Sequence, residues 1–462
     1  TINHTALILL VLLIALPAVA RVLERALCPG KSKSWVVVLL LASYALLVPG
    51  LCGPLFSFNI VANLLVSQFG LGPDGGMDRT DPTTESMLGL LRLLHETGSD
   101  LGVALVLTYA VLIPAAKLAL LLAGQLLGSQ RCIRVVQNIS KWACPDMFAY
   151  ILLMNLVRGL NHPRLLLASG RLDLGFSCFS LFCVGSTVAA MGIGSEDKER
   201  GCWKSLAGLL GKGGVLALVV PLALGFGVLM GVGLSLPVMA LRVDIDPLYD
   251  TNGGPIDAAQ WKDVIDAFDI PSLTRSDVTV LQSVGKQLEW MKLGEVNSFI
   301  GFVLLAGFAV SCTVLDMVVL VAAAVCLFLD AGVSTADANI AATTATDTTT
   351  DNTSMRTTIT IAPLLKLCWA LKKLSMLDVT IMGVIVVTFC MLMYRDKGVK
   401  VYMGVGLAYL TAAEVIHYVA YYAVKGAAQQ FAPEGGFTDR VELQESEDSS
   451  DESYCSAPSE SE

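Results

Sequence analysis

Charge is what this sequence has least of. Only 15% of its 462 residues are Asp, Glu, Lys or Arg, while 54% are hydrophobic; soluble domains carry about 25% charged residues. That balance excludes a soluble globular protein and points to several membrane crossings. Basic surface is missing too. The net charge is −9, and the segment from Phe437 to the end holds nine acids and one Arg, leaving the remainder near −1. No nucleic-acid partner is expected. The twelve cysteines contain no Cys-x-x-Cys pair, and most lie in apolar runs, where Cys acts as a small hydrophobe. Neither a zinc ribbon nor a disulfide framework follows. Walker, Gly-x-Ser-x-Gly and His-Glu-x-x-His motifs are all absent, and a lone GVGLSLP at Gly231–Pro237 is no nucleotide loop. We therefore expect no enzyme, no cofactor and no metal.

What the sequence does have is apolar runs near the 20 residues that cross a bilayer. They fall at 5–23, 35–58, 101–125, 145–160, 174–194, 214–241, 298–329, 376–394 and 401–424. The first residue is Thr, so further residues are expected before it. The run at 5–20 could be a signal peptide or a spanning helix. Arg21, Arg25, Lys31 and Lys33 after it, with no clearly marked cleavage site, favour the helix. Basic connections at 21–34, 126–141, 195–212 and 364–373 are predicted cytoplasmic. The long connections 59–100 and 242–297, rich in Gly, Pro and Asp, are predicted outside. Arg158, Arg164 and Arg171 break this pattern, because they put positive charge on an outer connection. Of the Asn-x-Ser/Thr sites, Asn138 and Asn352 fall on predicted cytoplasmic sides, which leaves Asn3 as a glycan acceptor. The Ala/Thr/Asp-rich stretch 331–360 reads as a flexible cytoplasmic loop, and the acidic Ser-rich tail as disordered and cytoplasmic.

Two stretches suggest a repeat. KWACPDMF places Asp146 at the threshold of one apolar run, and KKLSMLDVT places Asp378 at another. Aligned on the Asp, Lys141 lies over Lys373, and Cys144-Pro145 over Met376-Leu377. Each half also carries an amphipathic stretch, from Thr83 and from Ser276, that ends at a glycine (Gly98, Gly294) before a long apolar helix. In the first, Met87, Leu88, Leu91 and Leu94 fall at helical spacing, with Arg92 and Glu96 opposite. The fold expected is an all-α membrane protein of two parallel four-helix transmembrane modules, at 35–195 and 214–425. A helix and basic linker precede them at 1–34, a cytoplasmic linker joins them at 196–213, the acidic tail follows at 426–462, and the outer connections are small and folded. An even number of helices per half inserts both halves the same way up.

The order of Ser86 and Gly98, PAAK at Pro114–Lys117, KWACPDMF at Lys141–Phe148 and LKKLSMLDVTIMG at Leu371–Gly383 resembles the paraquat-inducible protein A family. The last stretch is similar to that family's Lys-Trp-Ser-Met-Leu-Asp-Val signature, and the resemblance covers residues 35–425, twice over. It implies a component of lipid or hydrophobic-molecule transport between membranes, with membrane lipids and a mammalian-cell-entry-type protein as partners. The zinc ribbons of many bacterial members are absent here, and the acidic tail is foreign to them. A reading from another class is a tetraspan-like scaffold that organises partner proteins without transport. A lipid-accessible cleft between modules would favour transport, and a closed interface the scaffold. An ion channel, with neither acid ring nor filter sequence, comes third.

Ser375 and Asp378 have the spacing of a capping box, and a carboxylate in the first turn meets the helix dipole. Pro145 suits the first helical position. Lys141 and Lys373 can snorkel to headgroups. On that reading Lys141, Asp146, Lys373, Ser375 and Asp378 are helix-start devices, with partner docking or proton transfer as the alternative. Lys117 and Asp316, each inside an apolar run, either reach water at a helix end or pair with each other between halves. Glu414 is the deepest acid, with His417 three residues on along the same face. Glu-x-x-His has the spacing of a di-iron half-site, but it occurs once with no partners arranged for metal. It reads as a polar pair joining helices, or as part of a substrate or proton pathway. The tyrosines at 418, 421 and 422 read as an interfacial belt.

Overall fold

The computed structural model describes residues 5–27, 34–62, 83–127, 130–160, 166–192, 202–243, 275–341, 351–392 and 399–431. Asn3, Arg164, the acidic tail beyond Phe431 and much of both long connections lie outside the described residues. Helices α1 (Thr5–Leu27) and α2 (Ser34–Cys52) lead into strand β1 (Pro54–Ala62). After β2 (Thr83–Ser86) come α3 (Met87–Glu96), α4 (Asp100–Leu107), a π-helical turn (Thr108–Leu112), α5 (Ile113–Leu127) and α6 (Gln130–Ile139). Then follow α7 (Pro145–Gly159), β3 (Leu166–Leu172), α8 (Leu174–Gly192), α9 (Cys202–Ser235), β4 (Pro237–Val243) and β5 (Arg275–Thr279). The described chain continues through α10 (Val280–Lys292), α11 (Val296–Phe302), a second π-helical stretch (Val303–Ser311), α12 (Cys312–Ala341), α13 (Asp351–Leu374), α14 (Leu377–Met391), β6 (Val399–Met403) and α15 (Val405–Phe431).

Among the described residues, six helical segments are long and apolar enough to cross a membrane: Trp35–Cys52, Asp100–Leu121, Leu174–Gly192, Gly208–Ser235, Val296–Leu329 and Pro363–Met391. The protein is a multi-pass integral membrane protein. Several of these helices turn large apolar side chains outward, Leu41, Val48, Leu224 and Val228 among them, as hydrocarbon requires. Three expected spans differ. The apolar part of α1 is shorter, at Ile8–Val22. Helix α7 has 15 residues, about 22 Å of rise against a hydrocarbon core of about 30 Å. Every residue from Pro145 to Leu156 is buried, so α7 is apolar because it is a core helix enclosed on all sides. The run expected at 401–424 divides into β6 and α15.

The chain is predominantly helical, in keeping with an all-α membrane protein whose connections are folded. Two three-stranded antiparallel sheets, in the orders β2-β1-β3 and β5-β4-β6, occupy the connections. The apolar runs 35–58 and 214–241 end in β1 and β4, because helices α2 and α9 stop at Cys52 and Ser235. Both strands carry a register shift at their start, at Pro54/Phe56 and Pro237/Met239. Each sheet therefore stands directly on helix ends. The expected loop at 331–360 is helical over 331–341 and 351–360; 342–350 lies outside the described residues.

Both amphipathic stretches are helices with the same start and finish. The Ser86 hydroxyl accepts from the Gly89 N–H, and the Thr279 hydroxyl from the Gln282 N–H. At the far ends Gly98 and Gly294 take φ of 72° and 92°, a left-handed conformation that favours glycine. Their N–H groups bond to His95 and Met291, while Ser99 and Glu295 bond back to Leu94 and Trp290. These are Schellman turns. The buried face of α3 is Met87, Leu90 and Leu94; Leu88, expected inside, is exposed, since the stripe runs at i, i+3 and i+7.

By compactness the chain divides into Thr1–Asp197, Gly227–Val314 and Lys372–Glu414 as one unit, and Lys198–Phe226, Leu315–Leu371 and Val415–Glu462 as the other. The first unit holds both sheets and is built around α7, which packs against α14, β3 and β5. The second unit holds helical segments, with an aromatic group formed by Phe226, His417, Tyr418, Tyr421 and Tyr422.

Candidate functional site

In the first unit the two sheets and the end of α7 enclose an open cavity of about 670 Å³. Arg158 stands in the last turn of α7, where a cation meets the negative end of the helix dipole. Its guanidinium lies 3.8 Å over the Trp290 ring and donates to both carboxylate oxygens of Glu295, at 2.9 and 3.0 Å. Its Nε donates to the Gly170 carbonyl of β3. The Schellman turn at Gly294 sets this geometry, because it folds Glu295 back onto the turn that carries Trp290. Ser298 donates to the same carboxylate at 3.0 Å. Both bonds to Glu295 come from one terminal nitrogen, Nη2, so the anchor combines a single-nitrogen ion pair with a stack on the indole.

Around this anchor the wall is polar and incompletely paired. Arg171, opposite Ser57 across the β1–β3 pair, donates through Nε to the Ser57 hydroxyl at 3.1 Å and lies 3.3 Å from Asp173. Lys286, half exposed, pairs with Glu289 at 3.0 Å. Two buried acceptors, Asn155 Oδ1 and Asp277 Oδ1, have no protein partner among the described residues. Asn155 uses its amide N–H₂ on the Ile151 carbonyl, and Asp277 uses its other oxygen on Arg275. Arg158 and Arg171, which broke the sequence pattern of charge, line this cavity.

The structure gives most of the ionisable residues singled out in the sequence partners other than those expected. Lys141 forms an ion pair with Asp378, and both are about nine-tenths buried; it does not snorkel. Lys373, on the exposed side, donates to Asn138 at 3.2 Å. Asp146 and Asp378 do occupy first helical turns, and Pro145 begins α7. Ser375 does not cap. The N-cap of α14 is Met376, without a side-chain bond, and the Ser375 hydroxyl shares a 2.7 Å bond with Thr313 instead. Asp146 is buried, and its Oδ1 has no partner among the described residues.

Glu414 is reached at 3.0 Å by Lys372 of α13, and both side chains are more than nine-tenths buried. His417, one turn along α15, meets Asp316 at 2.9 Å with both side chains fully enclosed. Glu414 and His417 thus bind their helix to two other helices. Lys117, fully buried, donates to the Ser186 hydroxyl at 2.9 Å. Lys117 and Asp316 each have a partner within their own unit. Sequence reasoning missed Lys372, which reads as half of a basic doublet, and Trp290 and Glu295. Gly294 between the last two was the available signal, since a closing glycine brings the residue after it back beside the helix.

No model of a known protein family, no curated protein and no solved structure matches this chain.

Proposed function

We propose that the protein is a non-enzymatic membrane component that handles lipids or other amphiphiles, as part of hydrophobic-molecule transport between membranes. The observation that carries this reading is the cavity of about 670 Å³, its walls part polar and part apolar, seated where strands leave the ends of apolar helices. Its volume falls within the range of small-molecule sites. It suits the polar end of an amphiphile whose tail runs along the outward apolar helix faces. The resemblance to the paraquat-inducible protein A family points the same way and suggests a mammalian-cell-entry-type partner. Two parallel four-helix modules are part of this proposal. The shared strand order, the hydroxyl caps at Ser86 and Thr279, the Schellman glycines and the paired π-helical stretches support them. The sheets then lie outside the membrane and the acidic tail in the cytoplasm. Native mass spectrometry of the purified protein, together with lipid exchange between reconstituted vesicles, tests the reading. Retained lipid and accelerated exchange are expected; a lipid-free protein with background exchange would sink it.

One observation favours a scaffold that organises partners without transport. Helices α7 and α14 pack so closely that a Cβ on Gly383 would collide with the Pro145 carbonyl. The interface between these two helices is closed, so lipid has no path between them. A scaffold would co-purify partner proteins while leaving vesicle exchange at background.

A further inference from the structure

Resting on the amphiphile reading, the hydrogen-bonding balance of the cavity narrows the kind of head it takes. We infer that it binds a phosphate-bearing headgroup with a primary ammonium, and discriminates against a quaternary one. Arg158 is committed through Nε to the Gly170 carbonyl and through Nη2 to Glu295, and its face lies on Trp290. The indole is therefore covered, and the aromatic surface that would hold a trimethylammonium group is unavailable. What the walls leave open are two buried acceptors, Asn155 Oδ1 and Asp277 Oδ1. Both oxygens require N–H or O–H donors, because a buried acceptor left alone costs about 1–3 kcal/mol. A primary ammonium supplies three N–H donors for these oxygens; a quaternary ammonium supplies none. On the more exposed side, Arg171 is engaged through Nε alone among the described contacts, and its terminal nitrogens can take a phosphate beside Lys286.

The test is a competition on the intact protein. It is exchanged into an equimolar mixture of phosphatidylethanolamine, phosphatidylcholine and phosphatidylglycerol of one chain composition, and the retained lipids are counted by native mass spectrometry. The ethanolamine lipid should exceed the choline lipid by about tenfold, the factor that one charge-assisted hydrogen bond confers. The variant Asp277→Leu should remove that preference. If Asp277→Leu fails to fold, glycerophosphoethanolamine added to the wild type should displace the ethanolamine lipid more readily than glycerophosphocholine does. Soluble glycerophosphoethanolamine that binds as tightly as the lipid would mark a free compound, not a membrane lipid, as the source of the headgroup. Equal retention of all three lipids overturns the headgroup inference while leaving amphiphile binding intact. Retention of none overturns both.

Discussion

Lys141 and Asp378 lie 237 residues apart in the chain, each beside one of the two aspartate-bearing helix starts, and they form a buried ion pair. The basic residue of one start thus neutralises the acid of the other, which ties α7 to α14 at the point where both helices begin. Helix-start chemistry alone would have left both side chains facing headgroups. Removing one member strands a buried charge, at a cost of about 3–5 kcal/mol, whereas replacing both with apolar residues of similar volume can be close to neutral. Lys141→Met should therefore lower the melting temperature in detergent, and Asp378→Leu added to it should recover part of the loss. Losses that simply add would show that the two side chains act independently.

Lys372 and Glu414 make the second such pair, between α13 and α15. Glu414→Gln keeps the shape and hydrogen-bonding capacity but removes the carboxylate charge that Lys372 meets at 3.0 Å. Stability should fall in Glu414→Gln and return in part with Lys372→Met. An unchanged melting temperature in the Gln variant would mean that the carboxylate charge contributes nothing to the fold. Unchanged stability with lost lipid exchange would assign Glu414 to a proton step.

How far the sequence reveals this arrangement depends on what a side chain must meet. Helix positions were legible, because a run of apolar residues reports its own environment. The closing glycines were also legible, because a left-handed turn selects the residue locally. The strands at the ends of 35–58 and 214–241 were not, since a short apolar stretch fits a strand or a buried helix equally well. The partners of Lys141, Glu414 and His417 were not legible either. Each depends on which helix faces meet, and nothing within four residues encodes that. Arg158 and Arg171 stood out only as a violation of charge asymmetry, and the sheets that explain them bring together segments more than a hundred residues apart.

Orientation can be checked at two well-exposed side chains near the sheets, Arg92 and Lys286. In a background depleted of native cysteine, Arg92→Cys and Lys286→Cys should react with a membrane-impermeant maleimide on intact cells. A cysteine added to the acidic tail should react only after permeabilisation. The opposite pattern would invert the proposed topology and place the cavity in the cytoplasm.

Arg158 offers the clearest test of whether the cavity is built around its anchor. Lysine at this position would keep the charge but lose the planar fork and the flat face. It could reach one oxygen of Glu295 and could not stack on Trp290 as a guanidinium does. Glu295 is partly exposed, so the ionic part of the contact is screened and worth little alone. The stack on Trp290 and the second bond, from Nε to the Gly170 carbonyl, carry the difference. Arg158→Lys should cost about 1–2 kcal/mol of stability, the sum of a lost cation–π contact and one charge-assisted hydrogen bond. Trp290→Leu should cost a similar amount, and the double variant clearly less than the two losses added, because both remove the same stack. Freed from Arg158, the Trp290 face in Arg158→Lys would also become available to a quaternary ammonium. Retention of phosphatidylcholine should then rise relative to phosphatidylethanolamine. If Arg158→Lys leaves both stability and headgroup ratio at wild-type values, the stack on Trp290 is an incidental contact and the cavity has another organising centre.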